Sequence, residues 1–244
     1  MPNHIANKLV ITGDKDILGR LVSSIETPHE DNGEILHIDF NKIIPMPEEL
    51  TTTECSSKAI ESLALYLHLN NKADLIPQLC RFVRIENVSG SPDFDERYMM
   101  GKKLYELYAS IGYTNWYDWR LANWNTKWNA YDTYIEEYEP TRLELYFNTA
   151  WSSPLPVIEK LVSMFPELQF NYVFADEDFS YNTGMGASEE GCLNMYYPEG
   201  GSDEAVALYI ESHQCEKNDF YKDENGKWHN RNWEDDYEEE ENEE

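Results

Sequence analysis

The chain has 244 residues, of which 41% are hydrophobic and 14% aromatic, enough for the packed core of one large domain or two small ones. Its 47 acidic and 19 basic residues give a formal charge of −28, which argues against a generic nucleic-acid binder because phosphate contacts need a surplus of lysine and arginine. The segment 218–244 has twelve acidic and three basic residues, so the first 217 residues still carry a charge of −19. A negative field of that size has two interpretations: it keeps the chain soluble, which acidic composition alone favours, or it steers the chain towards a basic surface such as the nucleic-acid channel of another protein.

The four cysteines are far apart in sequence, with no Cys-x-x-Cys pair and no histidine at ligand spacing, which indicates reduced thiols in a cytoplasmic protein. The N-terminus has no basic region followed by an apolar run, and no window approaches eighteen apolar residues. We therefore expect no membrane partner.

The first elements of the chain predict a β-α-β unit. Residues 5–11 have the composition of a strand, and Asp14 is a good N-cap for the helix that follows. Residues 35–41 alternate between two faces and predict a second strand. The apolar face of the helix consists of Ile17, Leu18, Leu21, Val22 and Ile25.

A helical insertion is predicted at about 51–130. Apolar residues at helical spacing mark three helices, the last of which ends at Gly112. Their apolar positions are Ile60, Leu63, Ala64 and Leu67, then Ile76, Leu79, Cys80 and Val83, then Gly101, Leu104, Tyr105, Tyr108 and Ile111.

A second β-α-β unit follows the insertion. Residues 143–148 alternate as a strand, Ser153 precedes a helix that Pro166 stops, and residues 168–174 alternate again. The inward positions of the helix are Val157, Ile158, Leu161, Val162 and Phe165. Two such halves predict an α+β fold, a ferredoxin-like two-layer sandwich over residues 1–215 with its helices on one face of the sheet.

The C-terminal part is less regular. Residues 192–197 and 205–211 predict an added hairpin, although the second segment also fits a helix. Nine of the eleven residues in 234–244 are acidic, so like-charge repulsion predicts a disordered tail, which we place at 216–244.

Four sequence blocks resemble the Api92-like proteins, also described as the YubB ferredoxin-like or DUF1281 group. They are residues 1–13, 39–50, 123–129 (Asn-Trp-Asn-Thr-Lys-Trp-Asn) and 147–154, in that order within residues 1–191. Asn125 stands where this group more often has glycine, and His4 where tryptophan is commoner. The acidic end after Cys215 has no counterpart in the group. The resemblance implies a ferredoxin-like core in a protein of phages and conjugative plasmids, and hence a bacterial cytoplasm. It supplies no catalytic residue.

Four of the seven tryptophans fall within thirteen residues, and this density marks the candidate site. One interpretation is a core anchor, with each indole N–H satisfied by a carbonyl or an asparagine. The other is a recognition groove in which the aromatic rings stack on a ligand while Thr126 and Lys127 hold its polar end. The candidate binding residues are Trp116, Trp119, Asn123, Trp124, Thr126, Lys127, Trp128, Asn129 and Trp151.

No catalytic or metal motif accompanies the tryptophans. The acidic triplet 176–178 lacks the spacing of a calcium loop and reads as a solvated strand end. Gly184 and Gly186 lack the context of a phosphate loop and predict a hairpin turn. We predict no catalytic residue, no metal and no cofactor, although an active site assembled from distant residues stays open.

Two functions from different classes follow. The first is a non-catalytic accessory protein of a phage or plasmid that binds a basic surface of a host protein, imitating nucleic acid to inhibit a defence or DNA-handling system without binding nucleic acid itself. The second is an enzyme or a sensor of a nucleotide-like ligand that uses the tryptophan cluster and Lys127 as its pocket.

Overall fold

The computed structural model describes residues 3–28, 34–80 and 92–231. The chain divides into two compact units. We call Met1–Ile44 with Trp124–Glu244 the sheet unit and Pro45–Asn123 the helical unit.

The sheet unit begins with a long strand and a capped helix, as the sequence predicts. The Asp14 carboxylate accepts hydrogen bonds from the backbone N–H groups of Asp16 and Ile17, which satisfies free donors at the helix start. The elements in this part of the chain are β1 (His4–Thr12), α1 (Lys15–Ile25), β2 (Thr27–Pro28), β3 (Ile35–Leu36) and α2 (Phe40–Ile43).

The predicted strand over residues 35–41 is wrong. Within this range only Ile35–Leu36 forms a strand, and it pairs with the two residues of β2. Asp39 then caps α2 by accepting a hydrogen bond from the backbone N–H of Asn41. Ile38 and Phe40 are fully buried, so the period of two reflects burial in a turn and a helix rather than a strand.

The helical unit contains α3 (Ser57–Leu69), α4 (Ile76–Leu79), α5 (Phe94–Ile111) and α6 (Trp116–Asn123). Leu63 and Leu67 of α3 form its core together with Leu104 of α5. The helix α5 ends at Gly112, as predicted. Val83, assigned to the second predicted helix, lies outside the described residues. Within the described part of the chain, every helix is too short or too polar to cross a membrane.

The rest of the sheet unit holds most of its strands. The strand and helix predicted at residues 143–165 are confirmed, and of the two alternatives for residues 205–211 the helical one is correct. The elements are β4 (Tyr131–Glu139), β5 (Arg142–Ala150), α7 (Leu155–Met164), β6 (Gln169–Asp176), β7 (Thr183–Glu189), β8 (Cys192–Tyr196), α8 (Asp203–His213), β9 (Phe220–Lys222) and β10 (Trp228–Asn230).

The glycines predicted to form a turn lie inside β7 instead. A Cβ atom on Gly184 would come within 2.5 Å of the Phe174 ring, and one on Gly186 within 2.3 Å of the Met195 sulfur. The close packing of neighbouring strands therefore explains these glycines.

Six strands form one antiparallel sheet in the order β4-β5-β1-β6-β7-β8. The central strand β1 separates β5 from β6, and β5 separates β1 from β4. The pairs β1/β4 and β5/β6 are thus two parallel strand pairs connected through α1 and α7, which confirms the ferredoxin-like α+β fold. The first β-α-β half is completed by β4 and not by residues 35–41. The helical unit lies in sequence between α1 and β4.

The two faces of the sheet differ in what covers them. On one face Ile5, Leu9 and Ile11 are fully buried, and Phe40 of α2 contacts Phe147 of β5 with ring centroids 6.1 Å apart. On the other face Lys8 of β1 forms a 3.0 Å ion pair with Glu211 of α8. The helix α8 thus adds a third layer to the predicted two.

The chain after Cys215 continues the fold, whereas the sequence predicts a disordered tail from residue 216. Phe220 is 6% exposed and packs against Ala175 and Tyr209, since the predicted tail still contains large apolar side chains. The strands β9 and β10 pair behind it. Residues 232–244 of the predicted tail lie outside the described residues.

This packing predicts that Phe220→Ala lowers the free energy of unfolding by about 3 kcal/mol, because it leaves a cavity beside Tyr209. Urea denaturation of the full chain measures the change. The matched control is Lys217→Ala, an exposed residue of the same segment, with a loss below about 0.5 kcal/mol. Equal small losses for both variants would show that Phe220 does not belong to the core.

Candidate functional site

The nine candidate residues are divided between the two units. Trp116, Trp119 and Asn123 belong to the helical unit. The sheet unit holds the other six, which are Trp124, Thr126, Lys127, Trp128, Asn129 and Trp151.

In the helical unit the candidate residues form and stabilise α6. Trp119 is 6% exposed, and the Asn123 side chain donates a hydrogen bond to the Trp119 carbonyl. The guanidinium carbon of Arg120 lies 5.0 Å from the Trp116 ring centroid. Burial of Arg120 lowers its pKa, but a guanidinium remains charged at neutral pH.

Trp124 joins the two points where the chain leaves and re-enters the sheet unit. Its indole N–H donates a 2.9 Å hydrogen bond to the carbonyl of Ile44. The ring is fully buried and meets Phe40 edge to face at 5.7 Å. A side chain with no exposed surface cannot stack on a ligand, so in this structure Trp124 anchors the core.

The two residues after Trp124 hold the segment to the end of β5. Thr126 donates through Oγ1 to the Ala150 carbonyl at 2.8 Å and accepts from the Ala150 N–H at 3.1 Å. Asn125 has a positive φ of 62° and donates to the Ser153 carbonyl. Asparagine tolerates this left-handed conformation better than most residues.

Asn129 completes the closure of the segment. Its Oδ1 accepts hydrogen bonds from the backbone N–H groups of Phe40 and Ala130, and its Nδ2 donates to Asp39 at 2.8 Å. The Asn129 side chain therefore connects Asp39 and Phe40 to the segment that leads into β4.

Three candidate residues do come together at the surface, and we call Lys127, Trp128 and Trp151 the cation–aromatic patch. The Lys127 ammonium lies 4.9 Å from the Trp128 ring centroid and 5.0 Å from that of Trp151. The Trp151 side chain is 38% exposed. The patch combines an indole surface and a positive charge, which suits a planar or anionic group.

The edge of the patch contains Tyr131 and His4. The Tyr131 ring meets Trp128 at 6.1 Å, and its hydroxyl lies 2.7 Å from Nδ1 of His4. Burial, followed by the charges of Asp132 and Glu177, raises the pKa of Tyr131 to about 12. The Tyr131 hydroxyl is therefore protonated at neutral pH and donates to the Thr149 carbonyl.

The first residue of the acidic triplet 176–178 is part of the fold, whereas the sequence predicted a solvated strand end. Asp176 is 5% exposed and accepts hydrogen bonds from the side chains of Asn3 and Asn182, while Glu177 and Asp178 are exposed. Among the described residues no group of three or more histidine, cysteine, aspartate or glutamate side chains is placed to hold a metal ion.

The negative charge is concentrated in one unit, a feature that the sequence alone did not reveal. The sheet unit has 36 acidic and 11 basic residues, whereas the helical unit has 11 and 8. Nine of the 36 acidic residues lie in 234–244, outside the described residues, and three exposed ones, Asp132, Glu136 and Glu139, lie on β4, an edge strand of the sheet. The alternation of tyrosine and acidic residues over Tyr131–Glu139 was the available signal for this strand.

Comparison with known proteins identifies relatives of this chain. A family model described as "Ferredoxin-like domain in Api92-like protein" matches residues 123–244. Among solved structures, protein api92 from Yersinia pseudotuberculosis is 12% identical over 82% of this chain and 99% of its own, with a TM-score of 0.40. No curated protein matches the chain.

Trp124 is buried more deeply than Trp128, so truncating the two side chains should lower the free energy of unfolding by different amounts. Trp124→Ala should lower the free energy of unfolding by about 4 kcal/mol, because it removes a fully buried ring and leaves the Ile44 carbonyl without its donor. The matched variant Trp128→Ala removes a half-buried indole and should cost about 1 kcal/mol. Chemical denaturation compares the two, and equal losses would contradict the structural role given to Trp124.

Proposed function

We propose that this chain, which belongs to the Api92-like (DUF1281) family, is a non-catalytic acidic accessory protein of a phage or plasmid that binds a basic surface of a host protein. Its target would be a defence or DNA-handling protein whose nucleic-acid site it occupies. The observation that carries the proposal is the concentration of 36 acidic residues in the ferredoxin-like unit, against 11 basic ones.

The edge strand β4 is the contact surface that the proposal favours. Tyr134 and Tyr138 on this strand are 39% and 54% exposed, and tyrosine is enriched at protein interfaces. Exposed acidic side chains lie between and beside them, at Asp132, Glu136 and Glu139. Among the described strands β4 pairs only with β5, so its backbone groups on the other side have no partner from these strands, which allows an extended segment of another protein to pair with it.

The mechanism has two stages. The field of the sheet unit first attracts a basic surface and raises the rate of encounter, an effect that added salt screens. The exposed tyrosines of β4 then supply the apolar contact area that slows dissociation. A partner held this way cannot bind nucleic acid through the same basic surface.

The charge mechanism predicts that removing two negative charges from β4 weakens the complex about fivefold, at roughly 0.5 kcal/mol for each exposed charge. The test variant is Glu136→Gln/Glu139→Gln, and the matched control is Glu48→Gln/Glu49→Gln in the helical unit, where both residues are also exposed. The measurement is capture from bacterial lysate on the immobilised full chain, with the captured protein identified by mass spectrometry and its affinity measured over a salt series.

The proposal expects a basic nucleic-acid-binding protein that duplex DNA displaces and that rising salt releases. A chain that ends at Arg231 keeps β4, β9 and β10 but loses the nine acidic residues of 234–244, so it should capture the same protein with a lower affinity and a weaker dependence on salt. An affinity that stays flat from low to high salt, or equal weakening by both double variants, would contradict the mechanism.

The cation–aromatic patch supports a second candidate function, the binding of a nucleotide-like ligand. Trp151 adopts a positive φ of 73°, which is costly for a bulky residue, and its backbone N–H is held by the Asn3 carbonyl at 2.9 Å. Strained residues of this kind cluster at ligand sites. The exposed indole beside the Lys127 ammonium suits a base and a phosphate.

This candidate predicts that adenosine monophosphate quenches the tryptophan fluorescence of the full chain in a saturable way. Lys127→Ala should weaken the binding about tenfold, because it removes the cation that meets the phosphate. Lys160→Ala, an exposed lysine of α7, serves as the matched control. An unchanged titration with Lys127→Ala would exclude the patch as a nucleotide site.

A further inference from the structure

A cavity of about 420 Å³ opens on the face of the sheet that α8 covers. Residues of β1, β4 and β5 line it together with the end of α8, all of them within the sheet unit. Its volume falls in the range of ligand-binding pockets and exceeds that of an arginine side chain.

One wall of the cavity is a stacked pair of tyrosines. The rings of Tyr134 and Tyr146 are nearly parallel, with an interplanar angle of 4° and centroids 5.2 Å apart. Burial raises the pKa of both phenols, so both are neutral at physiological pH. The Lys8 ammonium lies 5.6 Å from the Tyr146 centroid, within the distance at which a cation interacts with an aromatic ring.

Lys8 does not make the cavity positive. Its ammonium lies 3.0 Å from a carboxylate oxygen of Glu144 and 3.0 Å from one of Glu211. Although burial opposes its charge, the hydrogen bonds to Glu211 and Glu144 raise the pKa of Lys8. Its charge is therefore matched by these two carboxylates and is not available to a ligand.

A bulge in β4 brings a carboxylate to the cavity. Tyr131 pairs with Asn148 and Tyr134 with Tyr146, so β4 contains one residue more than β5 over this stretch. Asp132 lies in the bulge with a positive φ of 49°, and its carboxylate accepts a 3.2 Å hydrogen bond from the Asn148 side chain. Bulges of this kind redirect side chains and are common beside functional sites.

The other polar groups of the lining offer acceptors rather than positive charge. The Gln214 side-chain oxygen accepts from the Tyr134 hydroxyl. The Nδ1 atom of His213 lies 3.2 Å from the Tyr209 carbonyl, which leaves Nε2 as the acceptor nitrogen of a neutral ring. Burial lowers the pKa of His213 and keeps the ring neutral at pH 7. Asp132 is then the one charged residue among those that line the cavity.

We propose that this cavity binds a guanidinium group, presented by an arginine side chain of the partner protein. A guanidinium is planar, so it stacks on the partly exposed Tyr134 ring, and its several N–H donors match the Asp132 carboxylate and the neighbouring amide and imidazole acceptors. The ammonium of lysine lacks the plane and the fork of donors. The inference rests on the proposed function only for the source of the arginine.

The test uses N-acetyl-arginine amide as the probe, with N-acetyl-lysine amide as the comparison, in an amide NMR titration of the full chain. The arginine probe should shift the signals of Tyr134, Tyr146 and Asn148 in a saturable way and bind about tenfold more tightly than the lysine probe. Asp132→Asn should weaken it about tenfold, because the variant removes the charge while asparagine keeps the positive φ.

Glu159→Gln is the matched control, since it removes an exposed charge from α7 of the same unit, outside the residues that line the cavity and outside β4, and should leave the titration unchanged. Tyr134→Leu removes the stacking ring and should also weaken the arginine probe, which keeps the test decisive if Asp132→Asn alters β4. Equal binding of both probes, or full binding by Asp132→Asn and Tyr134→Leu, would overturn the proposal. If the arginine probe binds but no basic partner is captured, the assignment of the cavity holds and the proposed function is contradicted.

Discussion

The hydrogen bond from the Trp124 indole to the Ile44 carbonyl is the contact on which the arrangement of the chain depends. It joins the residue at which the chain leaves the sheet unit to the residue at which it returns. Asn129 makes a second connection to the same region, through hydrogen bonds with the backbone N–H of Phe40 and the carboxylate of Asp39. The residues on either side of the helical unit are both fixed inside the core of the sheet unit. The helical unit can therefore lie in sequence between α1 and β4 while the strand order remains ferredoxin-like.

This closure also gives the tryptophan-rich segment two separate roles. Trp124 and Thr126 are fully buried and form the fold, whereas Lys127 and Trp128 follow them at the surface beside Trp151. The segment 124–129 thus contains both core and surface positions. Sequence reasoning treated the run as one candidate site because composition alone does not separate the two kinds of position.

The sequence predicted helices and strands correctly where a start or stop signal coincided with a regular pattern of buried residues. The cap at Asp14, the apolar face of α7 and the alternation in β6 each combine a start or stop signal with a regular period. The strand β4 was missed because it is an edge strand with tyrosine and acidic residues on its outer face, so its pattern resembles a polar linker. The cavity beside Asp132 was not predictable, since it depends on a bulge and on α8 meeting residues far away in the chain.

In the described part of the sheet unit most acidic side chains lie outside the core. Asp39, Glu144 and Asp176 are buried, and the other acidic side chains are half-buried or exposed. On β4 the charges adjoin exposed tyrosines and the cavity lined by Tyr134 and Tyr146. Exposed carboxylates, exposed tyrosines and the proposed guanidinium site therefore lie along one edge strand, the surface that we propose for a basic protein partner.

Hydrogen exchange measured by mass spectrometry, on the full chain alone and in complex with the protein it captures, tests whether the acidic edge of the sheet is the binding surface. Binding should slow exchange in peptides from Tyr131–Glu139 and leave Ser57–Leu69 and Phe94–Ile111 of the helical unit unchanged. Protection confined to the helical unit, with Tyr131–Glu139 exchanging as in the free chain, would contradict the claim that the acidic edge of the sheet is the binding surface.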